Sequence, residues 1–518
     1  METSIKMKIE RSKNASRNIF FGVILNIYNI VLPFVMRTVM MYLLGVEYLG
    51  LNSLFTSILQ VLNLAELGVG SAMTFSMYKP IAENDEDKIC ALMKLYKIYY
   101  RVIGGLVLTG GLIVLPFMPK LISGNIPADI NIYALYMLNL LATVLTYWLF
   151  AYRNSILSAY QRNDLISKIT LFTNTCKYIA QILVLYLFKN YYYYVIAILV
   201  TQILNNIITA IVSKKRYPQY SPKGNLQSEE KKKINARVRD LFTSKLGGTI
   251  VDSADTIVIS SFLGLRVLAI YQNYFYILTA VMGFFTILYS SVLAGVGNSM
   301  VTETKEKNYG DFKKMTFIIF WFIGFSCCGM ISLYQPVMEI WVGQDLMLDS
   351  QMVPLFCLYF VGKEIVCLLS VYKDGMGIWH QDRFRPLISG VANLILNLML
   401  VNIIGIYGIL LSTIISVFCI SIPWLVHNVF TYIFDINLLK NYLKHLAFYI
   451  SIVIGSMVLT FITCNFNLVN GFQEFVLKFL IVCIIPNLIY LLVYCRTEEF
   501  HYAIGFVKNN TKRGRKYS

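Results

Sequence analysis

Runs of about twenty apolar residues recur from one end of the chain to the other, separated by short polar stretches. A helical run of that length matches the ~30 Å hydrocarbon core of a bilayer. Barrel strands would be about ten residues long and would alternate in polarity. No such alternation is present. The pattern predicts an all-α polytopic membrane protein with about 14 transmembrane helices. They fall at roughly 18–43, 50–76, 96–118, 130–151, 165–188, 193–213, 240–263, 269–298, 315–335, 351–372, 386–404, 406–433, 443–465 and 473–495.

The runs are not independent. GVGSAM (68–73) closes the second and GVGNSM (295–300) closes the eighth. Arg17 and Arg239, the Leu-Gly pairs at 44–45 and 263–264, and YQRND (160–164) with HQDRF (380–384) recur in the same order, at offsets of 219 to 227. A six-span unit is therefore duplicated. Six is even, so both copies enter from the same face, as parallel repeats related by an axis along the membrane normal. The expected organisation is an N-terminal lobe (1–213), a basic linker (214–239), a C-terminal lobe (240–434), two extra spans (435–497) and a basic tail (498–518). Gly68, Gly70, Gly295 and Gly297 are expected to form a paired packing or hinge element, since glycine lets helices approach closely. A lone GxG is weak evidence for a ligand loop.

Charge orients the spans. The net charge is +17, and 36 of the 45 Lys and Arg lie in the N-terminus, the even-numbered loops and the C-terminal tail. The opposite loops hold Lys120, Lys189 and Arg266. Basic loops stay on the cytoplasmic side, so both termini are expected there. Spread over every inner loop, this charge is not a nucleic-acid footprint. The linker carries nine Lys and Arg and is expected to be solvated at an anionic lipid surface. The ten cysteines sit mostly inside apolar runs without CxxC spacing, and the four histidines are scattered. No metal site, cofactor or catalytic residue is expected.

Ionisable groups at bilayer depth usually face a bundle interior or a watery cavity. The first half offers Arg37, Glu66 and Lys177; the second offers Lys245, Asp252, Asp255, Lys363 and Glu364. Ser167, Thr170, Asn174, Lys177 and Gln181 step by three and four, which places them on one helical face. A polar stripe in an apolar helix needs water or protein partners, so a polar cavity is expected beside it. Lys245 and Asp252 share a face of span seven, with Asp255 turned ~80° away. Ser389, Asn393 and Asn397 share a face of span eleven. Carboxylates and amide oxygens could ligate Na+, and a carboxylate could carry H+. Glu66, Asp252, Asp255, Glu364, Asn393 and Asn397 are the coupling-ion or charge-balance candidates.

The run from Arg37 through LLGVEYLGLNSLFTSILQVLNLAELGVGSAM to YKPIAENDEDKI resembles the N-terminal signature of Wzx-type polysaccharide flippases. These belong to the multidrug/oligosaccharidyl-lipid/polysaccharide exporter superfamily. The resemblance spans essentially the whole chain and implies a V-shaped bundle of two lobes that alternates between inward and outward openings. It implies a monomer in the bacterial cytoplasmic membrane, not an enzyme. Its substrate would be an undecaprenyl-pyrophosphate-linked oligosaccharide for surface polysaccharide, with membrane lipid and polysaccharide polymerase machinery as further partners. Arg and Lys suit phosphate, so Arg37, Lys177, Lys245 and Lys363, with Asn174 and Gln181, are the headgroup candidates. No GxxxxGK[ST] loop is present, so coupling would use an ion gradient or substrate exchange. Two relatives of the superfamily remain open as readings. A lipid II flippase shares the architecture, whereas a multidrug and toxin exporter would want an acid-lined pocket. A membrane polymerase or glycosyltransferase would want a large outer loop, and the longest is only about 334–350.

Overall fold

The computed structural model describes residues 11–66, 68–124, 126–466, 472–502 and 505, and all regular structure among them is helical. The side chains of residues 11–16, 19, 65, 240, 243–245, 252, 294 and 472 lie outside the description. The chain divides into two compact units, Met1–Ala269 and Ile270–Ser518.

The first unit contains α1 (Arg11–Leu43), α2 (Val46–Leu62), α3 (Val69–Glu83), α4 (Glu86–Val114), α5 (Ile132–Trp148), α6 (Asn154–Ala159), α7 (Asn163–Phe188), α8 (Tyr191–Arg216) and α9 (Ser228–Leu263). The helix α10 (Leu265–Thr302) leads into the second unit. There follow α11 (Lys305–Val342), α12 (Met352–Met376), α13 (Trp379–Asp382), α14 (Arg385–Ile404), α15 (Ile406–Ser416), α16 (Ile422–Asn428), α17 (Leu439–Asn465) and α18 (Phe472–Tyr494).

Twelve helices among the described residues are long and apolar enough to cross a membrane. A thirteenth span arises if Ile132–Trp148 and Ala151–Ala159, bent by 47°, are taken together. The protein is thus a multi-pass membrane protein, and the expected fourteen is approximate. The difference lies at the second span. There a 3-10 turn, Asn63–Glu66, and Gly68 at φ +88° separate α2 from α3. A positive φ is open to glycine at little steric cost, so the hydrophobic run reads through a break that the backbone does not.

The boundary between the units differs from the expected lobe boundary at 213–240. Helix α9 lies within the first unit, against α2 and α3. Glycine makes this packing possible. A Cβ at Gly50 would fall on the Leu265 carbonyl oxygen, and one at Gly68 would lie 2.5 Å from the Leu241 Cβ. The Ser123 amide donates to the Ser260 carbonyl (2.8 Å). In the expected solvated linker most residues are exposed, but two tyrosines pack against the unit. Tyr217 and Tyr220 are buried. Tyr160 stacks on Tyr217 with centroids 4.5 Å apart and shares a 2.5 Å hydrogen bond with the Tyr220 hydroxyl. Glu229 and Glu230 then sit in the first turn of α9, where acids favour a helix start. The tyrosines are buried while the flanking basic residues Lys214, Lys215, Arg216 and Lys223 stay exposed.

In the second unit α17 and α18 pack on α11. Trp321 donates to Asn487 Oδ1 (2.9 Å), and a Cβ at Gly324 would overlap the Tyr490 hydroxyl. The turns leading into α7 and α14 each hold a buried ion pair. Arg162 grips Asp164 with two bonds (2.8 and 3.1 Å), and Arg385 grips Asp382 likewise (2.7 and 2.9 Å).

Candidate functional site

Four helices of the first unit surround a cavity of about 220 Å³. Helix α1 contributes Arg37 one turn after Pro33, α2 contributes Asn52 and Thr56, α7 contributes Lys177, Tyr178 and Gln181, and α8 contributes Tyr194. Apolar Met36, Met40, Leu49 and Ile198 complete the wall. The i, i+4 spacing of Lys177 and Gln181, and of Asn52 and Thr56, puts each pair on one face. Three headgroup candidates, Arg37, Lys177 and Gln181, thus share one space. Asn174, one turn earlier on α7, is half-buried and does not line it.

The polar groups of this cavity are held in place. Lys177 Nζ lies 4.3 Å from the Tyr178 ring centroid, within cation–π range. The Tyr191 hydroxyl donates to Asn52 Oδ1 (3.2 Å). Gln181 is 1% exposed, and its Oε1 has no hydrogen-bond partner among the described residues. A buried, unsatisfied amide oxygen costs about 1–3 kcal/mol. The arrangement offers two cations for an anion, plus donors and acceptors for hydroxyl or amide groups.

Glu66 lies at the break between α2 and α3. Tyr100 donates to its Oε1 (2.8 Å) and Tyr147 to its Oε2 (2.8 Å), while Tyr96 donates to Tyr100 (2.6 Å). A Cβ at Gly70 would sit 3.1 Å from the Tyr96 hydroxyl, so a bare backbone gives this network room. The second GVG copy is used differently. It lies inside the unbroken α10, where a Cβ on Gly297 would meet the Gly375 carbonyl oxygen at 3.3 Å. Gly295 has nothing within 4 Å and opens on a largely apolar crevice of about 570 Å³ between α10 and α11.

The remaining candidates are spread more widely. Asp255 is buried on α9, while the side chains of Lys245 and Asp252 lie outside the described residues. In the second unit Lys363 Nζ lies 5.5 Å from the Tyr359 ring centroid. Its neighbour Glu364 is 1% exposed, with Oε2 unpartnered. On α14 the Asn397 amide donates to Asn393 Oδ1 (3.3 Å), and Asn393 donates to Thr413 Oγ1 (2.8 Å). In the loop between α11 and α12, the Gln351 amide and the Tyr407 hydroxyl both donate to Asp349. They hold its carboxyl below the usual carboxylate range. No group of three His, Cys, Asp or Glu suited to a metal occurs among the described residues.

Sequence reading missed Asn52, Thr56, Tyr178 and Tyr194 in the cavity, and Tyr96, Tyr100 and Tyr147 around Glu66. Asn52 and Thr56 carried a usable signal, a polar i, i+4 pair inside an apolar run. The tyrosines carried none, because their rings count as apolar and only the fold shows which hydroxyls meet a carboxylate.

A family model described as "Polysaccharide biosynthesis protein" matches residues 15–294. No curated protein matches the chain by sequence. Among solved structures, the lipid II flippase MurJ in an inward closed conformation is similar at TM-score 0.65 and 17% identity, covering 92% of this chain and 99% of that one. An inward-facing multidrug resistance MATE family transporter of the MOP superfamily is similar at TM-score 0.59 and 13% identity, covering 79% and 96%. The Vibrio cholerae MATE transporter VcmN is similar at TM-score 0.54 and 14% identity, covering 80% and 95%. At such identities the likeness is one of fold.

Proposed function

The chain belongs to the polysaccharide biosynthesis protein family, and from that premise we propose that it flips a lipid-linked oligosaccharide across the bacterial cytoplasmic membrane. The substrate in this reading is an undecaprenyl-pyrophosphate-linked repeat unit for surface polysaccharide. The observation that carries it is the first-unit cavity, where Arg37, Lys177 and Gln181 line one space among helices apolar enough to span a bilayer. A sugar headgroup bearing phosphate cannot cross hydrocarbon. The protein supplies a polar path while the lipid tail stays in the bilayer. Arg37 offers a fork of donors to a phosphate, and Lys177 a point charge. An acid-lined pocket for cationic drugs would reverse these signs.

Alternating access moves the bound headgroup from one face to the other. An Na+ or H+ gradient drives the cycle, with Glu66, Asp255, Glu364 and the Asn393–Asn397 pair as the groups to test. Both termini are cytoplasmic in this reading, and the flipped unit passes to polymerase machinery.

Depletion of the protein should leave lipid-linked oligosaccharide on the inner leaflet with drug sensitivity unchanged. Normal glycolipid distribution with drug hypersensitivity would instead support an exporter, and accumulation of lipid II alone would support that flippase. Arg37→Ala should lower transport roughly 10- to 100-fold, the loss of one charge-assisted bond pair, with normal protein levels on a blot. Full transport in that variant would remove Arg37 from the path.

A further inference from the structure

The two ends of α9 are held to the first unit by different chemistry. At its last turn the contact runs through backbone. The Ser123 amide donates to the Ser260 carbonyl, and the Ser260 hydroxyl donates to the Leu121 carbonyl (2.7 Å). Gly50 lies so close beneath Leu265 that there is no room for a methyl group. Parting these surfaces would leave backbone groups unpaired.

The basic half of α9, with the stretch that leads into it, is held through side chains. Lys88 on α4 pairs with Glu230, Tyr99 donates to Asn235, and Lys94 donates to Asn225 (3.0 Å). Arg237 donates to Ser76 Oγ on α3 (3.4 Å) and lies 4.7 Å from the Phe75 ring centroid. Of residues 228–239 only Ile234 is buried. Lys88 and Glu230 stand in the wall of a polar crevice of about 460 Å³, with Asp85, Lys223 and Gln227. Solvated contacts of this kind exchange for water at little net cost, and salt screens the ionic ones.

We propose that the basic half of α9 is a salt-sensitive latch on α3 and α4, which swings open while the backbone contact at Ser260 and Gly50 stays closed. At 1.5 Å rise per residue Glu230 stands about 45 Å along the helix from Ser260, so a tilt of roughly 10° carries it about 8 Å. In the orientation that the charges predict, the latch is cytoplasmic. Its link to transport rests on the flippase reading: the inner face opens when the latch releases, and a chain held shut completes no cycle.

The full chain is placed in lipid nanodiscs with spin labels at exposed Ala82 and Lys232, and with exposed Cys419 and Cys495 changed to Ser. The expected result is two label separations, the longer by at least about 5 Å, its share rising between about 10 mM and about 1 M salt. Glu230→Lys should raise that share roughly threefold at low salt. Lys88→Glu combined with Glu230→Lys should return it toward the native value. The salt series needs neither variant, so the test survives if Glu230→Lys accumulates poorly. One unchanged separation at both salts overturns the inference, and so does a double reversal that stays open. In a second arm, Lys88→Cys and Glu230→Cys are joined by a reducible bifunctional thiol reagent. Flipping of lipid-linked oligosaccharide in vesicles should stop, and return on reduction. Undiminished flipping in the joined chain overturns the link to transport. A chain whose latch opens with salt, yet which flips nothing before joining, overturns the flippase reading and leaves the latch standing.

Discussion

Gly68 and Gly295 occupy matching places in the repeat and meet opposite surroundings. Gly68 has φ +88°, and a Cβ there would lie 2.5 Å from the Leu241 Cβ. Gly68→Ala combines left-handed strain with overpacking and should cost about 2–4 kcal/mol. Gly295 is helical and faces open space, so Gly295→Ala should be neutral or gain up to ~1 kcal/mol from helix propensity. Thermal unfolding of the detergent-solubilised variants checks both, and a tolerated Gly68→Ala would contradict the bend. Legibility at this scale followed chemistry. Arg37, Lys177 and Gln181 were visible because charge and amides stand out in an apolar run. Whether a half-buried carboxylate such as Glu66 has donors was invisible, because Tyr96, Tyr100 and Tyr147 come from helices distant in sequence.

At the scale of elements, helices were readable from apolar runs and their interruptions were not. The second span looked continuous because hydropathy does not register a single left-handed glycine. The stretch 214–239 looked like a loop because its nine basic residues dominate composition, while three of them extend α8, five lie in α9, and two buried tyrosines pack the turn between. The difference has a direct test. Tryptic cleavage requires local opening, so the segment around Lys223 should resist trypsin in inside-out vesicles despite its basic residues. Tyr160→Ala removes the stacked partner of Tyr217 and should speed cleavage there several-fold, read on a gel as release of an N-terminal fragment. Equally fast cutting in the native chain would mean that the tyrosine stack does not hold the segment.

For the whole molecule, the expected duplication rests on offsets between sequence landmarks. The line between compact units was not legible. It depends on the packing of α9 against α2 and α3, which no local sequence pattern shows. The charge asymmetry predicts that both ends of the chain face the cytoplasm. A fluorescent protein fused to the C-terminus should therefore glow, and alkaline phosphatase fused there should stay inactive. The reverse result would invert every loop assignment.

The buried ion pairs at the turns into α7 and α14 reach further than packing. Arg162 and Asp382 stand 220 positions apart, at equivalent places in the two copies, yet carry opposite charge. Their partners stand at different spacings, Asp164 two residues after Arg162 and Arg385 three after Asp382. A single charge reversal in either pair would bury two like charges side by side, which destabilises by several kcal/mol. Change in either pair is thus expected to go through a neutral intermediate or a paired substitution. In related chains, the two positions of each pair should drift together.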